Sequence, residues 1–534
     1  MKSLLLVLPL LSGLITSAQE SSFYKDPQGI FSTRPSEKAS LTNIRRFGPV
    51  GIGIDLLQPA FVMRISHIEE GSPAAATELK AGQIIESING QRLADIDPRI
   101  QLGQILESAE ASDGLIKFAI KGMPDPVVVH IPVLGAYSKT WPLNCPKSDR
   151  IVRGVADYLA QPDATEGLGG IGMLFLLSTG DDRDLPVVQQ WARSLNAHKY
   201  PWYIGYGGIG LCEYYLRTGD EFVLPTIQKL VDNAAQGQYL DGWLGRGGVS
   251  PTYGNGHLNA AGTLVVGFYM LAKECGADVP DHALNGALVH FYRYSGRGGN
   301  PYGDNRTEAG FVDNGKNGKL AFAMAAAAAV TPDGENSVYA AARDVCAIQS
   351  FYTTSFMLHG HTGGGIGEIW RSAAMGLLYE TRPHHYREFM DHRKWHYDLS
   401  RRFDGSFGIL GGAGYDKEQW GVAYPLTYTI PRRTLRISGA PPTKHSKQFR
   451  LPKQPWGTAA DNIFLSLDAA ESADGSRQDL TRETLAKDSS RAFLTRFHGT
   501  QQPTDDEIRR YIQHQDHNIR FVAANKVLGI NSGY

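Results

Sequence analysis

The densest concentration of reactive side chains in this 534-residue sequence lies in Leu358–Trp370, where His359 and His361 flank one glycine and Glu368 follows a run of glycines. Two imidazoles two residues apart can share proton transfer or approach one ion, and a carboxylate one helical turn beyond them can act as acid or base. Two further groups stand in similar settings: His257 closes Gly254-Asn255-Gly256-His257, and Asp313 precedes Asn314-Gly315-Lys316-Asn317-Gly318. Asp304 and Glu308 add carboxylates near Asp313. Paired carboxylates would serve glycoside hydrolysis, and a His or Tyr with Lys or Asn would serve elimination from a uronate. The competing reading of the same residues is structural, because polar side chains beside glycines also cap helix ends. His359, His361, Glu368, Asp313 and His257 are therefore the candidate catalytic residues. No metal ligand set and no cofactor is assigned.

The elements that must position them announce themselves by repetition. Gly-Gly-Ile-Gly occurs at Gly169–Gly172, Gly207–Gly210 and Gly364–Gly367, and weaker copies begin at Gly254 and Asn314. The first two copies open apolar runs that close on Thr179-Gly180-Asp181 and Thr218-Gly219-Asp220. Recurrence at intervals of roughly 40 to 60 residues marks stacked supersecondary units. Each unit reads as a glycine-opened apolar helix followed by a more polar one, such as 185–197 or 221–235. The inner helices read as apolar nearly all round, as Ala321–Val330 does, so they are expected to be buried on both sides.

Composition narrows the class. The formal charge is −1, which starts a general nucleic-acid partner low, and the 60 glycines exceed the usual share. Met1–Ala18 reads as a secretory leader: Lys2, the apolar run Leu4–Ile15, and a small-residue cleavage site. That run is too short to span a bilayer, and no later stretch is long enough, so an exported protein, periplasmic or secreted, without a membrane span is expected. Cys145, Cys212, Cys275 and Cys346 show no CxxC spacing and read as thiols, those at 212 and 275 buried in apolar helices.

Residues 39–133 alternate strand patterns with turns, and a helix is expected from Pro98 with Asp97 as its cap. Val50-Gly51-Ile52-Gly53-Ile54, Gly71-Ser72-Pro73-Ala74, Gly82-Gln83-Ile84-Ile85 and Ile88-Asn89-Gly90 together resemble a PDZ domain. One departure is Gln83, where bacterial members usually carry Asp. The resemblance implies a peptide or protein C-terminus added to the strand edge at Val50, Gly51, Ile52, Gly53 and Ile54, with Leu102 on the opposing helix. The alternative is a groove covered by the chain's own linker. There is no Gly-x-Ser-x-Gly to suggest a protease.

After a packed linker, 134–150, residues 151–428 read as helical hairpins. Asp241-Gly242-Trp243-Leu244-Gly245 and Asp404-Gly405-Ser406-Phe407-Gly408 resemble turn phrases of six-hairpin and terpenoid-cyclase-like α/α toroids, and the Gly-Gly-Ile-Gly openings resemble those of lanthionine-cyclase-like toroids. The Cys positions do not match a cyclase zinc site, so zinc is not carried over. The pairing of a PDZ domain with a glycine-rich toroid also resembles a family of exported bacterial proteins to which no activity is attached. Residues 429–460 are basic and Pro-rich and read as wrapping the toroid or meeting an anionic polymer. His384, His385, His392 and His396, within the hairpin region, read as lying on an exposed outer helix, and residues 461–534 return to helices, with Thr504 a helix start.

The expected protein is multidomain: a small PDZ-like β-rich domain, a mainly α-helical α/α toroid and a short helical C-terminal tail. Parallel inner helices would aim their N-termini at one mouth, which suits an anionic group. Two functions follow. In one, the toroid acts on a carbohydrate or other anionic polymer while the PDZ domain engages a protein. In the other, the chain is a non-catalytic binding or scaffold protein.

Overall fold

The computed structural model describes residues 39–93, 98–238, 258–301, 315–353, 366–410, 416–466, 470–472, 476–489, 492–493, 496 and 501–529. The N-terminal part is one antiparallel sheet in chain order, β1 (Ser40–Ile44), β2 (Ile52–Gln58), β3 (Val62–Ile68), β4 (Ile84–Ile88), β5 (Leu115–Ile120) and β6 (Val127–His130). The strands arise from period-2 patterning: in β5, Ile116, Phe118 and Ile120 are buried while Lys117 between them is exposed. α1 (Pro98–Glu110) begins at a proline and buries Leu102, Ile105, Leu106 and Ala109 at helical spacing. Its expected cap, Asp97, lies outside the described residues.

The rest is mainly helical. α2 (Pro146–Leu159) begins earlier than the sequence reading placed it, because Pro146 sits at its first turn. α3 (Ile171–Thr179), α4 (Leu185–Ser194), α5 (Pro201–Thr218), α6 (Leu224–Gly237), α7 (Asn259–Cys275) and α8 (Asp281–Tyr292) alternate between apolar and more polar. α9 (Lys316–Ala329), α10 (Val338–Thr353), α11 (Ile366–Met375), α12 (Pro383–Ser400), α13 (Glu418–Gly421) and α14 (Leu426–Thr429) complete the set. The repeated Gly-Asp phrases have a local cause. Gly180 and Gly219 end α3 and α5 in the left-handed region at φ 78° and 74°, and the side chains of Asp181 and Asp220 then cap the next turn by accepting from Arg183 N and Phe222 N.

Neighbour relations among the apolar helices return to their start: α3 packs on α5, α5 on α7, α7 on α9, α9 on α11, α11 on α14, and α14 on α3. Glycine permits the closest crossings. A Cβ on Gly318 of α9 would lie 2.4 Å from the Trp370 carbonyl of α11, and one on Gly208 of α5 would lie 2.4 Å from the Phe268 ring of α7.

The segment after α14 crosses the C-terminal ends of these helices. Thr434 donates to Ser178 O of α3 at 2.9 Å, and Arg436 N and Ile437 N donate to the Glu213 carboxylate of α5 at 2.9 and 2.6 Å. Arg436 Nε pairs with Glu274 of α7 at 2.7 Å, and Lys447 N donates to Glu274 O at 2.7 Å. The strap therefore collects the C-terminal ends of α3, α5 and α7 on one side, so these helices run in the same direction.

The β part and the helices share buried structure. Trp395 and Leu399 of α12 belong to the core of the sheet, and Gly103 of α1 lies against Trp395. Glu110 at the end of α1 pairs with Lys147 at 2.8 Å and Arg401 at 2.7 Å. Arg46 pairs with Glu69 and Asp416 at 2.8 and 2.9 Å. The reading of α12 as an exposed helix needs correction. His384 is exposed, but Arg393, His396, Tyr397 and Asp398 are buried, because α12 lies between α1 and α10. In the tail, Thr504 caps its helix with Glu507 in a reciprocal box, as its sequence context implies. Among the described residues no helix is long and apolar enough to cross a membrane.

Candidate functional site

At the end of the helical ring opposite the strap, aromatic side chains and one lysine gather. Trp202 and Tyr206 lie one turn apart on the first turns of α5 and stack at 6.0 Å with 12° between planes. Tyr206 stacks in turn on Trp370 of α11 at 5.8 Å, and Trp370 Nε1 donates to the Tyr206 hydroxyl at 3.3 Å. Phe322 of α9 meets the edge of Trp370 at 5.7 Å. Lys319 Nζ lies 4.4 Å over the Trp202 ring and donates to Ala260 O at 3.2 Å. Lys319 is 4% exposed, whereas Trp202 is only half-buried. Every one of these groups except Phe322 comes from the first one or two turns of its helix.

The ring axis beyond this cluster is closely packed. Leu174, Ile209, Leu264, Phe322, Leu426 and Ile437 line a gap with room for the centre of about one water, ≈ 10 Å³. Lys319 and Trp370 also line this gap, which has no room for a ligand larger than water.

Glu368, the described member of the candidate catalytic set, stands in the first turn of α11 and is wholly buried. Arg393 of α12 lies 2.8 Å from one carboxylate oxygen and Arg371 3.2 Å from the other. Ser372 and Tyr424 also donate to this carboxylate, at 2.6 and 3.4 Å. Tyr424 further bonds His396 Nδ1, and Tyr397 donates to Ser372 at 3.0 Å. Burial opposes the charge on Arg393, but the Glu368 carboxylate outweighs it and the guanidinium pKa is raised. Burial and the same carboxylate raise the Tyr424 pKa well above the usual phenol range. A carboxylate so neutralised serves as a joint between α11, α12 and Tyr424 in the segment before α14.

Two asparagines beside the glycine openings also hold structure. Asn317 donates to Gly298 O at 2.8 Å and accepts from Asn300 N at 3.0 Å, and Asn259 meets His290 Nε2 at 3.3 Å. His257, Asp313, His359 and His361 lie outside the described residues. Among the described residues no group of three or more His, Cys, Asp or Glu is placed to hold a metal ion.

The peptide-binding set has a different setting from the one its sequence implied. β1 pairs along β2, with Ile44 opposite Ile54 and Ser40 opposite Gln58, on the edge that β3 leaves free. The loop before β2 turns on itself: Val50 N donates to Phe47 O at 3.2 Å and Gly51 N to Gly48 O at 3.3 Å. Ile52, Ile54 and Leu102 are core residues with no exposure. Residues 40–44 thus cover β2 from Ile54 to Gln58, and Phe47 N donates to Ile52 O at 2.8 Å, so at Ile52 and Ile54 the edge is taken by the chain itself. The sequence offered little sign of β1, whose apolar residues Leu41 and Ile44 are three apart and do not alternate.

Sequence reasoning also passed over Lys319, Trp202 and the role of Trp370. The available signal was a lysine inside the alanine-rich helix Lys316–Ala329. A second unforeseen group is Glu213, whose burial raises its carboxyl to about 7 against two backbone N–H bonds and Arg436, which lower it.

No curated protein and no solved structure matches the chain. A family profile described as Domain of unknown function (DUF6288) matches residues 148–439, from α2 into the strap and so including both Lys319 and Glu213. That match covers more than half of the sequence, and the chain belongs to the DUF6288 family.

Proposed function

We propose that the helical ring is an α/α toroid whose aromatic end binds a carbohydrate or another anionic polymer, in a protein exported by its N-terminal leader. The observation that carries this reading is Lys319 over the Trp202 face, with Tyr206 and Trp370 stacked behind it. Flat aromatic faces receive the apolar faces of sugar rings, and a buried ammonium attracts a carboxylate or sulfate. The inner helices add positive dipole ends at the same mouth. The β part, in the PDZ-like reading, is a partner-facing module built onto this receptor.

Recognition without turnover is the form best supported by the described residues, because Glu368 is committed to Arg393 and Arg371. Turnover would draw on His257, Asp313, His359 and His361. Purified mature protein titrated calorimetrically with uronate oligosaccharides tests both forms, with chromatography of the mixture for products. Trp202→Ala should weaken binding at least tenfold, and Lys319→Met should remove the preference for acidic over neutral sugars. Unchanged affinity in both folded variants would sink the reading.

A further inference from the structure

β1 lies on β2 as a bound peptide would. It runs antiparallel to β2 toward the Gly48–Gly51 turn, with Ile44 opposite Ile54 at the turn end. A peptide that adds to such an edge can take this direction, and between Ile44 and the glycine turn Phe47 N donates to Ile52 O at 2.8 Å. Ile44 is 3% exposed and belongs to the core of the sheet, which is the place such a peptide's last apolar side chain would fill. Beyond Ile44 the chain is firmly fixed: Arg46 is buried between Glu69 and Asp416, and Arg45 reaches Asp416 at 3.4 Å. Before Ile44 it is held lightly. β1 is the outermost strand, Ser40, Leu41 and Asn43 are exposed, and the side-chain bonds are Asn43 Nδ2 to Asp55 Oδ1 at 2.8 Å and to Ser66 Oγ at 3.2 Å.

We propose that residues 40–44 are a resident ligand of the β2 edge, hinged at Arg45 and Arg46. The strand lifts to admit an extended peptide that ends in an apolar residue. The tethered strand competes at an effective concentration in the millimolar range, so the closed edge should discount the affinity of an outside peptide by roughly a hundredfold. Partner binding through the β part is then conditional on displacement of the chain's own segment, and a partner that pulled residues 40–44 away would open the edge.

The test uses a labelled hexapeptide with the sequence of residues 39–44, Ala-Ser-Leu-Thr-Asn-Ile, with a free C-terminal carboxylate. Fluorescence anisotropy compares the full chain with a chain that begins at Arg45. The shortened chain should bind about a hundredfold tighter. Equal affinity, or no binding to a shortened chain that melts as the full one does, would overturn the proposal. Hydrogen exchange covers the case in which the shortened chain does not fold. In the full chain carrying Leu41→Pro and Asn43→Pro, β2 amides that face β1 should lose protection, while those that face β3 keep it, and added hexapeptide should restore it. Protection that stays unchanged, or fails to return, would equally overturn it.

Discussion

Glu368 of α11 and Arg393 of α12 form an ion pair at 2.8 Å with both side chains withdrawn from water. The pair joins α11 to the helix that also enters the core of the sheet, since Trp395, two residues on, packs there. The residue with the most promising sequence context thus acts as a connector between the two parts. Removing one member of such a pair strands the other charge, at about 3–5 kcal/mol, whereas removing both is far milder. Glu368→Leu and Arg393→Met should each lower the denaturation midpoint strongly, and the double variant should recover part of the loss. A double-mutant cycle by chemical denaturation reads this. Strict additivity would show that the two side chains do not depend on each other.

The same reasoning applies to Glu110, which is wholly buried between Lys147 and Arg401. Burial opposes the charge on Arg401, and the carboxylates of Glu110 and Asp398 overcome it, raising the guanidinium pKa. Glu110→Gln should cost about 3–5 kcal/mol and loosen the β part from the helices. Calorimetry should then show two transitions in place of one. A single, merely shifted transition would mean that the packing of Trp395 and Leu399 is enough to couple the parts.

Glycine-to-alanine substitutions should change sign with position. At Gly318 the new methyl would lie 2.4 Å from the Trp370 carbonyl, a backbone atom, so α9 and α11 must separate at a cost of about 1–3 kcal/mol or more. At Gly154, inside α2, the nearest atom is 3.9 Å away, and alanine should be neutral or stabilising by up to about 1 kcal/mol. Thermal melts of the two variants decide it. A destabilised Gly154→Ala would mean that α2 sits closer to Gly405 than this arrangement allows.

Much of the helical architecture was legible because it rests on local rules. Gly180-Asp181 and Gly219-Asp220 are read directly as a left-handed stop and a side-chain start, and Thr504 with Glu507 as a capping box. What escaped depends on partners distant in sequence. β1 exists because β2 pairs with it. The polar face of α12 is buried because Glu368 receives Arg393, Tyr424 receives His396, and Tyr137 donates to Asp398 at 2.7 Å. Lys319 meets an aromatic face only when Trp202, more than a hundred residues earlier, is folded beneath it. Periodicity reports which residues share a face; it carries no information about which face meets which.

Glu213 gives the ring a pH-dependent joint with its strap. Its carboxylate accepts from Arg436 N and Ile437 N, yet burial prevails and places its pKa at about 7, against an ordinary value of 4.5. A carboxyl raised on folding holds its proton better in the native state, so its contribution to stability is complete below pH 4.5. That contribution falls as pH rises from there to about 7, and above 7 it is lost. Over that interval the loss amounts to about 3 kcal/mol. Glu213→Gln removes the titration, so the variant should gain on the wild type by about that amount between pH 5 and pH 8 in denaturant midpoints. A difference flat with pH would show that the two N–H bonds and Arg436 keep Glu213 ionised throughout, against burial and the nearby Glu274 carboxylate. The strap would then be held by a fixed charge at every working pH.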